Sequence, residues 1–152
     1  MDQYPELVIE EDKHMHPKLP GVIVDNYIAI NKNRSLYEKH FILAEEIGHY
    51  LTTAGDITKL NTLPKLKAEI IARRWGYEKI LSLDDLVSCY EKKHLTAEDV
   101  SHDFEIELND LKTILDYYFD RYGPSVRHKE YIINFDPFIV IDINSLEGGE
   151  YL

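Results

Sequence analysis

Glu45, Glu46 and His49 are the residues whose types and spacing can do chemistry in this chain. On a helix, Glu45 and His49 lie one turn apart on the same face, where they can grip one metal ion. Glu46 is rotated by about 100° from Glu45 and stands beside the pair. This is the geometry of His-Glu-x-x-His, in which two i, i+4 ligands hold zinc and the intervening Glu polarises water. Here Glu45 stands where the first His would be. Alone the pattern is weak, because Glu-Glu-x-x-His arises often on solvated helix faces. Its surroundings strengthen it. The stretch reads His40-Phe41-Ile42-Leu43-Ala44-Glu45-Glu46-Ile47-Gly48-His49-Tyr50, and carboxylates set next to apolar surface need compensation, which a metal supplies. Gly48 costs a helix interior about 1 kcal/mol relative to Ala. Its missing side chain lets another element or a substrate pass close by.

A third ligand is needed. Glu69 lies on a second helix and reaches the same point if the two helices pack antiparallel. Water then fills an open fourth position, as catalytic zinc requires. Each residue also has an ordinary reading. Glu46 and Glu45 can be solvated acids, His49 a satisfied core histidine, and Glu69 the i, i+4 ion-pair partner of Arg73. His40 is excluded as a ligand, because about 900° of helix rotation separates it from His49. His14 and His16 sit in a polar loop and read more simply as loop histidines than as a second metal site. His94, His102 and His128 show no ligand spacing. Lys65, Lys67, Arg73 and Arg74 form a basic stretch that reads as a solvated face or as a balance to the site's carboxylates.

These residues need elements to position them. Leu7-Val8-Ile9 and Gly21 to Ile30 read as strands, with Asp25-Asn26 as a hairpin turn. Ser35 and Glu38 form a capping box opening the motif helix, which Thr52 to Gly55 closes. The second helix runs from near Pro64 to about Leu81. Ser82 with Asp85, and Thr96 with Asp99, start two shorter helices. Glu107 to Tyr122 is amphipathic and stops at Gly123-Pro124. Tyr131 to Ile143 reads as a late strand interrupted at Pro137. The expected organisation is one domain over 1–152, with strands mainly in 1–34, helices in 35–123, a late strand within 128–145 and a mobile tail over 147–152. The class is α+β, a small sheet packed on a helical body with the motif helix at its centre.

A chain of 152 residues suits a single domain burying roughly 70% of its unfolded surface. Hydrophobic residues at 44% and charged residues at 30% are globular proportions, not disordered ones. Acidic residues outnumber Lys and Arg by 28 to 17, a formal net charge of −11, which argues against direct binding to phosphate backbones. The lone Cys89 excludes an intramolecular disulfide and a Cys-based zinc site. Met1 to Glu11 lacks the apolar core of a signal peptide, and no apolar run is long enough to span a bilayer. The expected location is the cytoplasm, away from membranes.

The motif helix resembles that of the ImmA/IrrE metallopeptidases, typically Phe-x-Leu-Ala-His-Glu-Leu-Gly-His. Phe41, Leu43-Ala44, Glu46, Gly48 and His49 match, and Glu45 replaces His. Glu69, Ala72 and Trp75 are similar to the family's second helix, and Leu19-Pro20-Gly21 and Tyr27 to Asn31 to its upstream segment. The resemblance covers roughly residues 15 to 85, and the Glu-for-His change resembles a phage and mobile-element variant. It implies a zincin-like minimal metallopeptidase domain with Glu45, His49 and Glu69 as metal ligands and Glu46 as general base. It implies Zn²⁺, with a harder ion such as Mn²⁺ favoured by two carboxylates. It further implies a helix-turn-helix repressor-type protein as substrate or partner. Tyr50, Tyr77 and His128 are the candidates for stabilising the oxyanion. The alternatives are a non-catalytic antirepressor retaining the fold, favoured by Glu45, and a toxin of a two-gene module.

Overall fold

The computed structural model describes residues 3–52 and 62–147, with side chains described from 66 in the second helix and up to 145 at the C-terminal end. The chain forms two compact units, 1–80 and 81–152.

The first unit opens with β1 (Val8–Asp12), β2 (Gly21–Val24) and β3 (Tyr27–Asn31). Their order is β1-β3-β2, with β1 parallel and β2 antiparallel to β3. Asp25 takes a left-handed conformation (φ 54°) in the two-residue β2–β3 turn, the geometry that favours Asp, Asn or Gly there. As the central strand, β3 is buried from Ile28 to Asn31. Helix α1 (Leu36–Thr52) starts at the expected capping box. Glu38 N–H donates to Ser35 Oγ at 3.1 Å, and Ser35 N–H donates to Glu38 Oε1 at 3.3 Å. Ile42 and Ile47 of α1 join Ile28 and Ile30 in one apolar cluster, against which Leu43 and Trp75 pack. Helix α2 spans Thr62–Ile80. The expected helix closure at Thr53 to Gly55 lies outside the described residues.

Asn31 is the one buried polar side chain among the described residues, at 1% exposure. Its amide donates to the carbonyls of His16 (3.2 Å) and Leu19 (3.0 Å) and accepts from Asn33 N–H (3.0 Å). The loop leading into Gly21 is therefore pinned to the central strand. Asn31→Ala leaves these groups without that partner and is expected to lower stability by roughly 2 kcal/mol. Urea unfolding measures this. A loss below about 0.5 kcal/mol would mean that water substitutes for the amide.

The second unit contains α3 (Leu83–Glu91), α4 (Ala97–Phe104) and α5 (Leu108–Tyr122). Ser82 and Thr96 start α3 and α4 as the sequence indicates, and each closes a capping box, with Asp85 and Asp99 respectively. Gly123 ends α5 at φ 84°. Leu86, Ile106, Leu111, Ile114, Tyr118, Ile133 and Phe135 are buried in its core, and Tyr118 O–H donates to the Leu81 carbonyl at 2.6 Å. The late strand differs from expectation. It is an antiparallel sheet of β4 (Ser125–His128), β5 (Tyr131–Phe135) and β6 (Phe138–Asp142). Asp136-Pro137 is the hairpin turn, not a break in one strand, because Pro suits a turn and cannot donate within a ladder. Ile143–Glu147 forms a short helix, α6, where strand was expected to 145. Asn144 N–H donates to Asp142 Oδ1, turning the chain out of the ladder. The fold is mixed α+β with two small sheets instead of one. The expected mobile tail lies, beyond Glu147, outside the described residues.

Candidate metal centre

The α1–α2 contact is built on small residues. A Cβ on Gly48 would overlap the carbonyl oxygen of Ala72, and one on Gly76 would lie 3.2 Å from the carbonyl oxygen of Ala44 and 3.3 Å from Glu45 Cα. Ala44 and Gly48 on α1 thus meet Gly76 and Ala72 on α2, in opposite chain order. The helices run antiparallel, and glycine permits the close backbone approach. This packing sets His49 against Glu69, with Nε2 3.3 Å from Oε2.

That distance bears on metal binding. Ligand bonds of about 2.0–2.1 Å at a tetrahedral angle put two ligand atoms about 3.3–3.4 Å apart. An unassisted N–H···O hydrogen bond is usually shorter, at about 2.9–3.0 Å. The His49–Glu69 pair therefore fits two positions of a divalent metal. Among the described residues no group of three His, Cys, Asp or Glu side chains is gathered to hold an ion. Glu45 occupies the same face of α1 one turn before His49, with its backbone against Gly76.

Glu46 points elsewhere. Its Oε1 lies 3.4 Å from where a Cβ on Gly21 would be, and Ile42, one turn earlier, packs on the same glycine. Gly21 begins β2, at the side of the sheet opposite β1. Burial pushes the Glu46 carboxyl up to about 7, and the negative charges of Glu45 and Glu69 add to the shift. A carboxyl is held here at the border of ionisation, in surroundings short of positive charge. A cation relieves that shortage.

The sign for the metal-free protein follows directly. A folded-state value of about 7 lies above the ordinary 4.5, so the folded chain binds this proton more tightly than the unfolded chain does. Stability from this group is full below pH about 4.5, falls as pH rises through the window to about 7, and then levels off, by roughly 3 kcal/mol at most. Chelator-treated protein is therefore expected to gain stability at pH about 8, but not at about 4.5, on Glu46→Gln. Equal differences at both pH values in urea unfolding would contradict the assignment.

The other candidates are placed as follows. Tyr50 O–H donates to Glu6 Oε1 at 3.1 Å, and the Tyr77 ring stacks on Phe41. His128 lies in the second unit, where its Nε2 is 2.7 Å from Asp84 Oδ1. His40 is exposed, and His16 Nδ1 accepts from Lys18 N–H within its loop. His94 pairs with Asp103. Cys89 is buried and its thiol is pushed up to about 11, first by burial, which leaves it inert. Gly21 and Gly76 shape the site and were not singled out for that role in the sequence. The available signal was Ala72-x-x-x-Gly76, which repeats the small-residue spacing of Ala44-x-x-x-Gly48.

A three-stranded sheet beside an antiparallel helix pair, with Glu-Glu-x-x-His on the first helix and Glu on the second, defines a metallopeptidase-type domain. A family model for Peptidase_M78, the IrrE N-terminal-like domain, matches residues 6–112, and the chain belongs to that family. Membership points to metallopeptidase-type hydrolysis and to a divalent metal. No curated protein and no solved structure matches the chain. Among the described residues, no helix is long and apolar enough to cross a membrane.

Proposed function

We propose that this chain is a metal-dependent peptidase of the cytoplasm that cuts, and thereby inactivates, a helix-turn-helix repressor-type protein. The observation that carries this reading is the His49–Glu69 pair at metal-ligand spacing, with a half-buried Glu46 on the same helix whose carboxyl feels the negative charge of Glu69. His49 and Glu69 would hold the metal, and Glu45 would complete the set by turning its side chain toward them. Zinc is the first choice, and manganese the second because two of the three ligands are carboxylates. When bound, the metal supplies polarisation of the scissile carbonyl and acidification of water. Glu46 takes the proton from the attacking water and delivers it to the leaving amine. Its location beside Gly21 suits a substrate strand laid along β2, where Val22 and Val24 are exposed.

The test is intact-mass spectrometry of such a repressor after incubation with zinc-loaded protein. Two fragments whose masses sum to the repressor plus one water support the reading. An intact repressor bound in a stable complex favours the second reading, a non-catalytic antirepressor or toxin-module protein. Two observations favour that second reading: Glu stands at the first ligand position, and three donors are not gathered among the described residues.

A further inference from the structure

The side of α2 turned away from α1 has a composition at odds with the rest of the chain. Leu66, Ile70 and Arg73 follow i, i+4, i+7, and Lys67, Ile71 and Arg74 repeat the spacing one residue on. Together they cover roughly 160° of the helix surface, opposite Ala72 and Gly76. All six are exposed. Leu66 is 54%, Ile70 47% and Ile71 51% exposed, an unusual concentration of large aliphatic surface on one helix face. Around the helix Leu66 and Ile70 form a ridge with Arg73 on one side and Lys67 and Arg74 on the other, and Ile71 lies beyond that second pair, in a chain with 28 acidic and 17 basic residues. Glu78 lies on the same side, one turn beyond Arg74.

We propose that this face of α2 is a docking surface for an acidic amphipathic helix of another protein. Leu66 and Ile70 supply the packed centre, Arg73 on one side and Lys67 and Arg74 on the other meet acidic residues along the partner's flanks, and Ile71 widens the contact beyond Lys67 and Arg74. Charge selects this occupant over two others. A second copy docked symmetrically through α2 sets cations against cations. An anionic membrane is a broad surface and meets the acidic remainder of the chain as well as the stripe. A single acidic helix meets only the stripe, and at physiological salt charges farther off than about 8 Å are largely screened. The docking reading invokes neither a bound metal nor peptidase activity, so it stands or falls independently of them.

The probe is a fluorescein-labelled peptide of about four helical turns, with Leu at i, i+3, i+4 and i+7 spacing flanked by Glu. Fluorescence polarisation is read on the full chain, on Ile70→Ser/Ile71→Ser and on Arg73→Glu/Arg74→Glu. The wild type is expected to bind, and each double variant to bind at least about tenfold more weakly. The charge-reversed variant is expected instead to take up the same peptide with Lys in place of Glu, a gain that an unfolded chain would not give. Wild-type binding no tighter to the Glu peptide than to the Lys peptide overturns the proposal, as does binding unchanged in both variants. Failure to bind the peptide, with variant-sensitive binding to anionic phosphatidylserine vesicles or variant-sensitive dimerisation in sedimentation, also overturns it.

Discussion

Gly48→Ala should destabilise the protein although it replaces glycine by the best helix former. In an exposed helix the change is stabilising by about 1 kcal/mol. Here the new methyl group overlaps the carbonyl oxygen of Ala72, a backbone atom that no rotamer change can move. The helices must separate, and overpacking of this kind costs about 1–3 kcal/mol, more where backbone has to shift. The balance is a net loss of about 2 kcal/mol, which lowers Tm by roughly 4–8 °C for a chain of this size. Gly76→Ala should cost less, because its nearest contacts would be 3.2–3.3 Å, tight but open to small adjustment. Separation of the helices also draws His49 from Glu69, so Gly48→Ala should bind metal more weakly even where it remains folded. Thermal unfolding of both variants checks the order. A neutral or stabilising Gly48→Ala would show that the helices are farther apart than described.

Glu46→Gln should lower kcat on a cleaved substrate by about 10²- to 10⁴-fold, the range for loss of a general base. That is a barrier increase of about 3–5 kcal/mol. The amide keeps the shape of the carboxyl and cannot accept the water proton. KM and metal content should stay near wild type, because Glu46 is aimed at Gly21 and not into the His49–Glu69 pair. Glu45→Gln and Glu69→Gln should instead lose metal and activity together. Kinetics paired with metal analysis separate the two classes. A Glu46→Gln protein with undiminished kcat would remove Glu46 as the base.

The contact between His49 and Glu69 was legible in the sequence to the extent that helix geometry determines it, while a gathering of Glu45 with them is not seen among the described residues. The i, i+4 spacing placed Glu45 and His49 on one face, and Glu69 met His49 because the next helix returns antiparallel. Side-chain direction was less accessible. Spacing cannot say that Glu46 turns to the start of β2 while His49 turns to α2, since that depends on which face of α1 each neighbour covers. The fold followed the same division. The capping box at Ser35 and the helix starts at Ser82 and Thr96 rest on local hydrogen-bond patterns, and they form where they were read. Ser125-Val126-Arg127-His128 carries one apolar residue and gave no strand signal. It becomes β4 because the Ile-rich β5 offers a ladder alongside it, a tertiary effect that propensity does not contain. Pro137 signalled an interruption, but whether the chain turned back or ran on depended on β6 finding its partner in β5.

Metal content tests the account most directly. Untagged protein is purified without chelators and measured by inductively coupled plasma mass spectrometry, beside His49→Ala and Glu69→Ala. The account predicts about one equivalent of zinc or manganese per chain in the wild type and less than about a tenth of that in either variant. A wild type that holds no divalent metal even after reconstitution, or variants that keep it, would contradict the account and leave a partner-binding protein that retains the family's fold.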